Sequence, residues 1–215
     1  MIGLREGTFL VRLARTAVKH YLQEHDVLSY KEIDELREKE LSEKKEFGRQ
    51  GAFVTLQSYP AKSLRGCIGY PFPVKALDKA VAECAVSAAI GDPRFPPVSL
   101  KELDAITFEV SVLSELREIS VARARDYAKN VEIGKDGLVI EYGPFSGLLL
   151  PQVAPEQGWG PEEFLAGLCE KAGLSPDYWL AEAEGRPVVK ISKFQAQIFC
   201  EQTPGGRVVE KKPVA

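Results

Sequence analysis

The sequence predicts an α+β fold built on antiparallel sheet. Three observations carry this. Helical stretches and strand runs are interposed irregularly, the strand runs are joined by short hairpin-type turns, and no phosphate loop or Rossmann glycine fingerprint is present. With 215 residues, 45% of them apolar and 27% charged, the chain can build one full core, or one large and one small lobe sharing it.

The first helix is expected to start at Thr8, whose hydroxyl suits an N-cap. In it Leu10, Leu13, Ala14, Ala17, Val18 and Tyr21 form an apolar stripe at three- and four-residue spacing. From Tyr30 to Arg49 the chain is densely charged and carries only Ile33, Leu36, Leu41 and Phe47 as anchors, the pattern of a short solvated helix or an arm. Residues 52–56 and 63–68 read as a hairpin around Ser58-Tyr59-Pro60. Val74, Leu77, Val81, Cys84, Ala85 and Ala88 mark one face of a helix that Gly91 ends, and the prolines of Asp92-Pro93-Arg94-Phe95-Pro96-Pro97 hold the next segment extended.

Ser99 and Glu102 have capping-box spacing ahead of residues 106–112, where apolar and polar side chains alternate strictly. That alternation puts Ile106, Phe108, Val110 and Val112 on one face and Thr107, Glu109 and Ser111 on the other. Short strands are expected at 131–134, 138–142 and 148–153, separated by glycine-containing turns. Pro161 suits the first position of a helix carrying Phe164, Leu165, Leu168, Cys169 and Ala172, ended by Gly173. Residues 188–199 read as a last long strand with a bulge near Ser192-Lys193, and the tail from Thr203 is expected to be mobile.

Charge and motifs narrow the function classes. A formal charge of -3 gives no global positive field for a nucleic-acid backbone, so any such contact has to be local, through residues such as Lys62, Arg65 and Arg94. The apolar runs are far shorter than a membrane span and the N-terminus is unlike a signal peptide, which makes the cytoplasm the default location. Cys67, Cys84, Cys169 and Cys200 form no C-x-x-C pair and are expected as free thiols, and no cofactor or metal motif is found. A single Met, a single Asn and abundant Lys and Glu give the composition of heat-adapted proteins.

The candidate functional centre is Leu64-Arg65-Gly66-Cys67-Ile68-Gly69. Gly66 and Gly69 permit close backbone approach, and the Arg65 cation beside Cys67 would lower a thiol pKa. The alternative is a small buried thiol between glycines that relieve crowding. A Cys-His dyad requires His20 to face the hairpin, because His20 and His25 lie in and just after the first helix.

Asp92 and Arg94 sit on the rigid loop, either presenting the guanidinium to an anionic group or bridging internally to hold a turn. Glu109 is a candidate general base or a solvent-facing strand residue. Gln152, after an apolar run, either reads a ligand amide or ties two backbones together. Trp159 between two glycines either packs or stacks on a ring, and Cys169 lies on an apolar helix face.

The hexapeptide Leu64–Gly69 resembles the signature of the AMMECR-type domain family, named after a human chromosomal critical region. Gly51-Ala52-Phe53-Val54-Thr55, Asp92-Pro93-Arg94-Phe95, Glu109-Val110-Ser111-Val112-Leu113, Gly137-Leu138, Gly147-Leu148-Leu149-Leu150-Pro151-Gln152 and Ala172-Gly173-Leu174 resemble the same family in order. The resemblance implies a stand-alone archaeal or bacterial member with two unequal lobes: a larger one of residues 1–125 and 186–202 with a helix-flanked antiparallel sheet, and a smaller one of residues 126–185. It also implies a cleft near the hexapeptide. The first reading is an enzyme, or the substrate-holding subunit of one, that binds a small or nucleotide-like ligand there, with Arg65, Gly66, Gly69, Asp92, Arg94 and Gln152 as contacts and Cys67 and Glu109 as the chemical groups. Memo-like proteins and radical S-adenosylmethionine enzymes are the partners the resemblance suggests, in a modification system. A noncatalytic adaptor and an RNA-binding module are the competing readings.

Overall fold

The computed structural model describes residues 2–41 and 46–211. In chain order the elements are α1 (Leu4–Glu24), α2 (Tyr30–Leu41), β1 (Ala52–Ser58), β2 (Leu64–Tyr70), α3 (Leu77–Ile90), β3 (Ile106–Leu113), β4 (Arg117–Glu118), β5 (Gly137–Tyr142) and β6 (Phe145–Leu149). They continue as α4 (Val153–Gln157), α5 (Pro161–Lys171), β7 (Glu182–Ala183), β8 (Arg186–Pro187), β9 (Lys190–Phe194), β10 (Ala196–Glu201) and β11 (Val208–Lys211). The fold is α+β, in two unequal compact units.

The larger unit, Met1–Leu113 with Gln197–Lys211, holds a five-stranded sheet in the order β11-β10-β3-β1-β2. Its helices cover one sheet face: Val54, Leu56, Phe108 and Val110 share a core with Phe9, Leu10, Leu13, Ala14 and Val18 of α1 and with Val81, Ala85 and Ala88 of α3. Each large side chain so buried stabilises the fold by about 1.5–3 kcal/mol. A half-buried ion pair fixes α1 to β10: Arg15 Nε donates to Glu201 Oε1 at 2.6 Å, and Glu201 Oε2 accepts the Phe108 N–H at 3.0 Å.

The smaller unit, Ser114–Ala196, holds the sheet β4-β9-β5-β6. Leu138, Ile140 and Ile191 from that sheet pack with Phe164, Leu165, Leu168 and Cys169 of α5. The unit boundaries fall at Leu113 and Ala196 rather than at 125 and 186, because β4 and β9 pair within the smaller sheet.

Several local expectations are corrected. The first helix starts four residues before Thr8: Glu6 accepts the Gly3 N–H at 2.7 Å, and Thr8 Oγ1 donates back to the Leu4 carbonyl at 2.8 Å. Over its described part the charged arm is a docked helix, since the buried Arg37 pairs with the fully buried Asp78 at 2.6 Å and Lys79 reaches Asp34; residues 42–45 lie outside the described residues.

No strand forms at 131–134, where the Asp136 carboxylate instead closes a turn by accepting the Glu132 N–H at 3.0 Å. Residues 148–153 divide between the end of β6 and the start of α4. The long strand expected at 188–199 is two strands in different sheets, broken at Gln195 rather than at Ser192-Lys193. Within the expected mobile tail, residues 208–211 pair with β10 as β11, and residues 212–215 lie outside the described residues.

Candidate functional site

The hexapeptide is the edge strand β2. Gly66 faces the helices: a Cβ there would fall well inside contact distance of the Ala88 carbonyl of α3. Strand alternation then turns Cys67 to the opposite, polar face. Register aligns Cys67 with Thr55 of β1, and Thr55 with Glu109 of β3, so these three side chains form one row across three strands.

Cys67 points both its N–H and its carbonyl outward, away from β1. The Asp92 carboxylate accepts the N–H at 2.8 Å, and Arg94 Nη2 donates to the carbonyl at 3.3 Å. Thr55 and Cys67 are therefore a non-hydrogen-bonded cross-strand pair, the kind whose side chains stand closest. The Thr55 hydroxyl lies 3.3 Å from Sγ. The outward backbone of an edge strand is thus occupied by a loop rather than left open to pairing.

Asp92 organises this end. Besides Cys67 it receives Arg94 Nε at 2.9 Å, Arg94 Nη2 at 2.7 Å and the Arg94 N–H at 3.1 Å. The Arg94 guanidinium foremost, then the two backbone N–H groups, hold this buried carboxyl well below the usual carboxylate range. The internal bridge is formed, while the Arg94 side chain stays 54% exposed.

Arg65 does not serve as the activating cation. It is turned to Glu102, with Nε–Oε1 at 2.6 Å, and lies near the Phe95 ring. Burial pushes the Cys67 thiol up, against the lowering effects of Thr55 and Arg94. Cys67 is consequently a neutral thiol at neutral pH. The imidazole expected for a dyad is absent too: α1 packs on the helix-covered face, His20 lies near Glu32, and His25 ends the helix at φ 57.

Glu109 is 5% exposed, not solvent-facing, and pairs with Lys211 of β11. Gly69 packs against the Phe53 ring. Gln152 belongs to the smaller unit, where its buried Oε1 has no hydrogen-bond partner. Trp159 packs against the core of that unit over Gly167, and Cys169 is enclosed in the same core. Among the described residues no three His, Cys, Asp or Glu side chains converge as metal ligands. Thr55, Glu102 and Lys211 were not read from the sequence as site residues; alternation along β1 places Thr55 on the polar face, but only the register shows what it meets.

A family model described as AMMECR1 matches residues 11–199. The chain belongs to the AMMECR1 family. Relatives of similar length include Protein MJ0810 of Methanocaldococcus jannaschii, 50% identical over 99% of this chain and 98% of that protein. Another is Protein MK0488 of Methanopyrus kandleri, 47% identical over 98% and 95%. The crystal structure of PH0010 from Pyrococcus horikoshii superposes with a TM-score of 0.84 at 42% identity, covering 97% of each chain. The AMMECR1 match spans the hexapeptide, the Asp92–Arg94 loop and the strand that carries Glu109. No helix of the described residues is long and apolar enough to cross a membrane.

Proposed function

We propose that this AMMECR1-family protein binds a small polar ligand on the polar sheet face beside Cys67. Cys67 contacts the ligand as a neutral thiol, and Glu109 supplies the carboxylate for proton transfer or hydrogen bonding. The observation that carries this reading is the row Cys67-Thr55-Glu109, whose first member has its backbone clamped on both sides by Asp92 and Arg94. A modification system with Memo-like and radical S-adenosylmethionine proteins completes the reading, on the strength of the family resemblance.

The test is a screen of small polar metabolites by protein-observed NMR. The expected hits shift the amides of residues 55, 67 and 109, and both Cys67→Ser and Glu109→Gln weaken them about tenfold, one hydrogen bond's worth. Hits that cluster elsewhere and ignore both variants refute the site.

An adaptor role is favoured by one feature: Phe72 and Val74, on the loop leaving β2, are 38% and 52% exposed. Under that reading Val74→Asp abolishes co-purification with a Memo-like or radical S-adenosylmethionine partner and no metabolite binds. The RNA reading loses support, because Glu102 and Asp92 neutralise two of its three basic residues.

A further inference from the structure

A separate cleft opens on the same sheet face, one pleat away from the Cys67 row. Gln57 is paired with Thr107 two residues further along the strands that carry Thr55 and Glu109, so both point to the polar face. With Cys200 of β10 they line a cavity of about 290 Å³, which Tyr59 and Lys62 of the β1–β2 turn and Lys211 of β11 also border. That volume sits at the lower end of small-molecule sites.

We propose that this cleft binds the phosphoryl group of a small phosphate monoester between Lys62 and Lys211. The proposal goes beyond the Cys67 reading and stands without it. Lys62 Nζ has no carboxylate within ion-pair distance among the described residues, although Lys62 borders the cavity. Glu201, which also borders it, is already committed to Arg15, and Lys211 is paired with Glu109, which leaves Lys62 as the bordering charge with no carboxylate partner among the described residues. Burial pushes the Cys200 thiol up, Glu109 and Glu201 add to that rise, and the Lys211 and Lys62 ammonium groups oppose it, so both lysines act on the Cys200 side of the cavity.

Two lysines, one from the β1–β2 turn and one from β11, act as point charges on a tetrahedral anion, whereas a planar carboxylate is better matched by an arginine fork. The Gln57 amide and the Tyr59 hydroxyl make no side-chain hydrogen bond to the described residues and can take the rest of the molecule.

Lys62 lies at φ 56, a backbone region that glycine occupies freely, so Lys62→Gly removes the ammonium group without straining the turn. Calorimetric titration with ribose 5-phosphate, ribose and ribonate tests the proposal, with amide shifts at residues 57–63 and 200–202 locating the site. Ribose 5-phosphate is expected to bind there with Kd at or below about 1 mM and ribose not to bind. Lys62→Gly should weaken the ester about tenfold at an unchanged or raised melting temperature, and Lys62→Glu should abolish binding. Equal binding of ribose, tighter binding of ribonate, no saturable binding of the ester, or indifference to both Lys62 variants overturns it.

Discussion

The two faces of the five-stranded sheet are built on opposite rules. On the helix face Val54, Leu56, Phe108 and Val110 are sealed under α1 and α3, and Gly66 is glycine because the Ala88 backbone occupies its side-chain space. On the other face Thr55, Thr107, Glu109 and Ser111 are also buried, yet they are polar, and the Ser111 hydroxyl has no partner among the described residues. Burying polar groups costs free energy that apolar groups would not incur. The first face accounts for the fold, and the second is where the structure has polar groups to spare for a ligand.

Substitutions sharpen the contrast. Gly66→Ala should be the most damaging, about 4 kcal/mol in denaturant unfolding, since a backbone carbonyl on a packed helix has to move. Glu201→Ala should cost about 3 kcal/mol by leaving Arg15 without its carboxylate. A loss under about 1 kcal/mol in either would mean the helix face is looser than described.

Asp92→Ala should cost about 2 kcal/mol by releasing the Cys67 N–H and Arg94. The sign of its pH dependence follows from the depressed folded pKa. The contribution is fully present above the unfolded value of about 3.9 and is lost as pH falls below it towards the folded value. Asp92→Asn should therefore show a flatter stability profile than the parent between about pH 4 and pH 2. Cys67→Ser should change stability least, by under about 1 kcal/mol, because the hydroxyl can keep the Thr55 contact.

The sequence made the helix face legible in detail. The α1 stripe and the alternation over residues 106–112 are read directly from hydropathy period, and both pack as expected. It also exposed Cys67, Asp92 and Arg94 as a local set, through the glycines and prolines that constrain their backbone. It did not expose their electrostatics. Proximity suggested that Arg65 acts on Cys67, since residues two apart share a strand face, but the β1–β2 register shifts at Arg65, between the Leu56–Gly66 and Gln57–Leu64 pairs, and Arg65 is taken by Glu102 from 37 positions away.

Nor did it expose long-range pairings that depend on register, such as Thr55 with Cys67 or Lys211 with Glu109. The strand expected at 188–199 failed for a related reason. A continuous β-rich run carries no signal that its halves join different sheets.

Cys67 sits on the polar side of the sheet as a thiol whose pKa burial pushes up. The direct measurement is the rate of Cys67 alkylation in the folded protein across pH, with Cys67→Ser as the blank. The rate should rise only above the ordinary thiol pKa of about 8.5, and Thr55→Val should move the rise higher still, because the lowering contact is gone. A rate that already plateaus near pH 7 would show a resident thiolate and contradict the account.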